Sequence, residues 1–121
     1  MIIVTIKTDQ PMAEVGLFRD HEKLGYSVWE AHRTLTDTIH VQIKKLLDMA
    51  SMDWGDIGGV IVFKGPGSFT GLRIGFAVAN TLAYINKAPI VSTMGDAWLQ
   101  EGLKRLVAGE DEHIAMPEYG A

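Results

Sequence analysis

The chain contains no cysteine. That absence removes disulfides, thiolate metal sites and a cysteine nucleophile together, and it fits a reducing compartment. Positive charge is not in surplus either: 11 Lys and Arg stand against 15 Asp and Glu, a formal net charge of −4. A protein that grips RNA or DNA unaided usually presents an excess of cationic side chains, so any nucleic-acid role is expected to be indirect. No apolar stretch approaches the roughly 20 residues needed to cross a bilayer. The N-terminal run Ile2–Ile6 is too short for the apolar region of a signal peptide, and Lys7 follows it at once. These absences predict a soluble cytoplasmic protein with no membrane contact. What is present is apolar content, 47 % of 121 residues, enough for the core of one domain or of one lobe of a two-lobed one.

Apolar spacing divides the chain into elements. Ile2–Ile6, Glu14–Phe18 and Leu24–Ala31 read as strands, separated by the turn residues Thr8-Asp9-Gln10-Pro11 and Arg19-Asp20-His21-Glu22. From Thr36 the pattern becomes helical: Ile39, Ile43, Leu46, Leu47 and Ala50 recur with a period near 3.6 up to Ala50. Gly59–Phe63 is a continuous apolar run, as in a strand buried on both faces. A helix over Thr70–Asn86, a strand over Pro89–Ser92, and a helix capped by Asp96 follow. The order βββαβαβα predicts an α/β fold: a single ribonuclease H-like, actin-type lobe with a mixed five-stranded sheet, in which the strands joined by helices run parallel. Residues 1–107 are assigned to this lobe, and residues 108–121 to an acidic spacer and a C-terminal tail.

Catalytic constellations are sparse. The segment Lys64-Gly65-Pro66-Gly67-Ser68-Phe69-Thr70-Gly71 joins a buried strand to a helix start, where backbone N–H groups can meet an anion. It lacks the Lys of a GxxxxGK[ST] loop, so it is not a P-loop. Gly65, Gly67, Ser68 and Thr70 remain weak candidates for anion contact, against the plainer reading of a tight turn. His21, His32, His40 and His113 show no i, i+4 metal pair, and His21-Glu22 lacks the second His of H-E-x-x-H because position 25 is Gly. Ser68 has no His at a recognisable spacing and suits helix capping. The expectation is no catalytic residue, no metal and no cofactor.

The helix Thr70–Asn86 carries more apolar surface than a half-exposed helix needs. Its apolar arc spans on the order of 200°, against roughly 100° for an ordinary amphipathic stripe. Gly71, Gly75, Ala79 and Ala83 recur every four residues, a track that admits another backbone closely. Burial between its own sheet and a neighbouring helix is one explanation. A lobe this small has little surface with which to cover such a helix, and that points to a partner. The expected interface comprises Gly71, Ile74, Gly75, Val78, Ala79 and Leu82 on this helix, with His40, Val41, Lys44 and Lys45 on the preceding one.

The string Gly65-Pro-Gly-Ser-Phe-Thr-Gly-Leu-Arg-Ile-Gly75, together with the small-residue-rich helix and the following Pro-Ile-Val strand, resembles the signature of the TsaB (YeaZ) family. The resemblance covers roughly residues 1–107, the family's N-terminal lobe. It implies an ASKHA (actin/Hsp70-type) fold and a non-catalytic role in making threonylcarbamoyl-adenosine on tRNA, contacting tRNA only indirectly. It implies pairing with the catalytic TsaD subunit through these two helices, with a TsaE ATPase as a further partner. A self-associating scaffold or homodimer, or a residual nucleotide-binding protein, is the competing expectation. Lys7 stands where the family usually has Asp in the first hairpin, and the second lobe is lacking. The closing Pro117-Glu118-Tyr119-Gly120 resembles the tail that follows that lobe, so the sequence reads as a shortened form with its tail kept, or as one bounded arbitrarily at Ala121.

Overall fold

The computed structural model describes residues 1–119. Strands β1 (Ile2–Lys7), β2 (Met12–Arg19) and β3 (Glu22–Glu30) form an antiparallel meander. A short 3-10 turn leads into α1 (Leu35–Met49), and a second precedes β4 (Ile57–Phe63). Helix α2 (Phe69–Asn86), strand β5 (Ile90–Thr93) and helix α3 (Trp98–Val107) complete the order. The sheet runs β3-β2-β1-β4-β5, with β4 parallel to β1 and β5 parallel to β4. This is the ribonuclease H-like lobe that the element order predicts.

The apolar pattern explains the layering. Alternate residues of β1 and β4 enter opposite layers, as the pleat requires. Val4, Ile6, Val60 and Val62 meet Leu35, Ile39 and Ile43 of α1 and Leu72 and Phe76 of α2 on one face. Ile3, Ile61 and Phe63 meet Trp98, Leu103 and Leu106 of α3 on the other. The helical stripe predicted for α1 is buried from Ile39 to Leu47 and extended at its start by Leu35, while Ala50 lies just past the helix end and is half-buried. Asp96 does not cap α3: Ala97 holds that position without a side-chain cap, and the helix begins at Trp98.

The acidic stretch read as a spacer is packed against the lobe. Asp111 and Glu112 bond the outer edge of β5. Beyond them the chain runs back along α2. The Asn80 side chain donates to the Ala115 carbonyl at 3.0 Å and accepts from its N–H at 2.9 Å, and Ala115 is buried. Glu118 N–H donates to the Lys64 carbonyl at 2.8 Å, and the Tyr119 and Phe69 rings lie 4.6 Å apart. Hydropathy alone reads such a segment as solvated, because carboxylates bonding backbone N–H groups leave no apolar period.

Candidate functional site

Three places hold the residues singled out above: the glycine-rich loop, the first hairpin beside it, and the pair of helices α1 and α2.

The loop between β4 and α2 is a packing junction. Gly65 adopts φ +111°, a region L side chains rarely enter, and a Cβ there would lie 2.3 Å from the Glu118 carbonyl oxygen. A Cβ on Gly67 would lie 2.4 Å from that of Asp9. Ser68 N–H donates to the Asp9 carbonyl at 2.9 Å. The Ser68 hydroxyl caps α2, accepting from Gly71 N–H at 3.3 Å. Two amides that an anion would otherwise use are thereby committed, while Gly67 and Thr70 sit exposed at the surface. The signature string is thus written in terms of packing: each glycine admits the hairpin or the tail.

In the hairpin, Lys7 is enclosed by opposite charge. Its ammonium lies 2.8 Å from the Asp9 carboxylate, 4.0 Å from that of Glu14, and 4.6 Å from the centre of the Phe63 ring. The Tyr26 hydroxyl donates to Glu14 at 2.6 Å. Burial, then the neighbouring Glu14, pushes the Tyr26 pKa well above its usual value. With one cation set against two carboxylates, the cluster offers phosphate no net positive charge. Among the described residues no three His, Asp or Glu side chains gather as metal ligands would.

The helix pair separates the expected interface residues into two groups. Gly75 and Ala79 are buried, and Leu82 is nearly so. A Cβ on Gly75 would stand 2.0 Å from Thr8 Oγ1, and one on Gly71 would stand 2.3 Å from the Thr8 carbonyl oxygen. Thr8 Oγ1 in turn donates to the Gly71 carbonyl at 2.8 Å. The group that approaches the small-residue track is therefore the chain's own Thr8, just past β1, with its carbonyl at Gly71 and its side chain at Gly75. This corrects the expectation that Gly71, Gly75 and Ala79 present themselves to a partner: they seat α2 on the sheet, while Leu82 is buried at the floor of the groove described next.

Ile74 and Val78 are half-exposed, and His40, Val41, Lys44 and Lys45 lie at the surface of α1. Lys44 pairs with Asp48 one turn on. Between the helices runs an open groove of about 320 Å³, lined by His40, Trp54, Ala77, Val78, Thr81 and Leu82. Its walls are mostly apolar, with the Thr81 hydroxyl turned back to the Ala77 carbonyl at 2.7 Å. Sequence reasoning misses Trp54, Ala77 and Thr81. Trp54 lies in the polar turn Asp53–Asp56, where an aromatic side chain was the available signal. On α2 the other exposed residues include Arg73, Tyr84 and Ile85. No helix among the described residues is long and apolar enough to cross a membrane.

A family model described as "TsaD: tRNA N6-adenosine threonylcarbamoyltransferase" matches residues 29–94. The chain is 31 % identical over 126 residues to the tRNA threonylcarbamoyladenosine biosynthesis protein TsaB of Buchnera aphidicola (subspecies Schizaphis graminum), covering 98 % of this chain and 59 % of that protein. To the TsaB of Escherichia coli K12 it is 30 % identical over 125 residues, covering 94 % and 52 %. The chain thus spans about half the length of these curated relatives. Among solved structures it is similar to a Pseudomonas aeruginosa protein described as having similarity to peptidase YeaZ, with a TM-score of 0.71 at 22 % identity, over 77 % of this chain and 43 % of that one. That likeness concerns the fold.

Proposed function

The chain belongs to the TsaB (YeaZ) family, and from that premise we propose that it is a non-catalytic subunit in tRNA threonylcarbamoyladenosine biosynthesis that binds a TsaD-type catalytic subunit through the groove between α1 and α2. The groove is the observation that carries the reading. It is mostly apolar, open to solvent and walled by half-exposed Val78 and Trp54. Such a trough accepts the side chains of a partner helix, with His40 at its α1 edge and the exposed Val41, Lys44 and Lys45 of the same helix as further contacts. The lobe of residues 1–107 supplies this surface. A TsaE-type ATPase is a further partner, and tRNA is contacted through the complex.

The absence of catalysis is supported by the hairpin. Lys7 is committed to Asp9 and Glu14, which leaves no free carboxylate pair for metal-assisted chemistry there. A soluble, cytoplasmic place of action follows from this role. The test is co-purification with TsaD of the same organism. Wild-type chain is expected to retain TsaD through washing, and Val78→Asp is expected to lose it while melting as the wild type does. Retention of TsaD by a folded Val78→Asp protein defeats the placement of the interface. ATP turnover by the pure chain above background, abolished by Asp9→Ala, defeats the non-catalytic reading.

A further inference from the structure

The two outer strands of the sheet are guarded in different ways. β3 carries its own deterrents: Glu22, Lys23 and Glu30 stand on it, and its register with β2 shifts between Leu17 and Phe18. Charges and bulges are what natural edge strands use against pairing with foreign strands. β5 has no charge within Ile90-Val91-Ser92-Thr93, and three of its four residues are β-branched.

Its outward backbone groups are nevertheless all engaged. The Pro89 and Thr93 carbonyls accept from Val60 and Lys64 on the β4 side. By the alternation of a strand, Ile90 and Ser92 turn their backbone groups away from β4. Ile90 N–H donates to Asp111 Oδ1 at 3.1 Å, and its carbonyl accepts from Glu112 N–H at 2.8 Å. Ser92 N–H donates to Glu112 Oε2 at 2.6 Å, and the Ser92 hydroxyl donates to Glu112 Oε1 at 2.7 Å. The Ser92 carbonyl accepts from Arg105 Nη1 at 2.8 Å. Arg105 also holds Glu112 at 3.0 Å and Glu110 at 2.8 Å. Every outward donor and acceptor of the strand is met by α3 or by the acidic segment behind it.

We propose that Arg105, Asp111 and Glu112 are a lock in cis over the outer edge of β5, and that the strand they hold off is β5 of a second copy of this chain. An uncharged four-residue strand is self-complementary: it meets its own copy antiparallel about a twofold axis without setting like charges opposite one another. The same arrangement for β3, centred on Tyr26, would set Glu22 against Glu30. Lock and pairing use the same four backbone groups of Ile90 and Ser92, so they exclude each other. The acidic segment then has a task that its hydrophilic composition conceals: it keeps a β-branched edge monomeric.

The experiment uses the full chain on a Val78→Asp background, so that association through the helix groove does not contribute whether or not that reading holds. Asp111→Ala with Glu112→Ala opens the edge. In dilute solution the Ile90 and Ser92 amides are expected to exchange about tenfold faster than in the parent. On concentration, sedimentation velocity is expected to show a dimer that the parent lacks, with those amides protected again. Adding Ser92→Pro, which deletes the outward N–H of an edge strand, is expected to restore the monomer. A folded double variant that stays monomeric at every concentration, its two amides exchanging freely, overturns the proposal. If the double variant does not fold, Glu112→Gln is read by the same two measurements: it keeps the shape and removes the ion pair with Arg105. Faster exchange with a new dimer supports the lock, and unchanged mass overturns it.

Discussion

On one side of α2, Gly71, Gly75 and Ala79 lie against the sheet and Thr8; on the other, Val78 and Ala77 border an open groove. Both sides are apolar, and in the sequence they merge into a single wide arc. They differ in size of side chain. The glycines are where the chain approaches itself most closely, and half-exposed Val78 stands where it remains open. Close approach of backbones requires absent side chains, whereas a groove that receives a partner's side chains requires walls. In this helix, therefore, Gly71 and Gly75 mark the intramolecular seam, and half-exposed Val78 marks the surface left for another molecule.

The sharpest way to break this comparison is to fill the seam. Gly75→Leu places a side chain where even a Cβ stands 2.0 Å from Thr8 Oγ1. The hairpin turn and α2 must separate, at a cost of about 3 kcal/mol or more, a fall in Tm of roughly 10 °C or more. Circular dichroism melting reads it directly. A variant with wild-type melting and lost TsaD binding would return the small-residue track to the partner. The complementary change is Val78→Asp in the groove. Its stability effect is expected to be small because the position is half-exposed, while TsaD binding weakens by about 2 kcal/mol, roughly thirtyfold, by titration calorimetry. Equal losses of stability and binding in both variants would erase the distinction between the two sides.

Part of this arrangement was legible and part was not, for physical reasons. The order of elements follows from periodicity: the 3.6-residue stripe Ile39, Ile43, Leu46, Leu47 is the buried stripe of α1, and the unbroken run ending at Phe63 is a strand enclosed on both faces. The direction of the small-residue track is not in its spacing. Gly71 and Gly75 ask for a close neighbour, and Thr8, which answers with its carbonyl and its side chain, lies 63 positions from Gly71 in the chain. The groove depends on Trp54, supplied by a polar turn outside both helices. The tail was the least legible, since Asn80, Asp111 and Glu112 bind backbone groups, and such contacts have no hydropathic signature.

The tail side of α2 offers a smaller effect. Asn80 satisfies both the N–H and the carbonyl of buried Ala115 with one amide. Asn80→Ala strands both groups and is expected to cost about 2 kcal/mol. Hydrogen exchange should show residues 114–118 released while Asp111, Glu112 and the β5 edge that they bond keep their protection. Release of the tail without change at the groove would confirm that the two flanks of α2 are independent, with TsaD binding then expected to stay within a factor of about two of wild type.

The smallest expected effect lies at the start of α2, where seam and groove meet. Ser68 Oγ accepts from Gly71 N–H, and Gly71 is also the residue whose carbonyl accepts from Thr8. Removing the cap with Ser68→Ala is expected to cost about 1 kcal/mol. The bond is at 3.3 Å and exposed, so water can replace part of it, which holds the loss to this order. Because Thr8 still grips the first turn from the seam side, the helix should not unravel toward the groove: chemical denaturation would show a lower midpoint with an unchanged slope, and TsaD affinity would stay the same. A Ser68→Ala protein that keeps its stability but loses TsaD would place the first turn of α2 in the interface and extend the partner surface past Ile74 onto the loop.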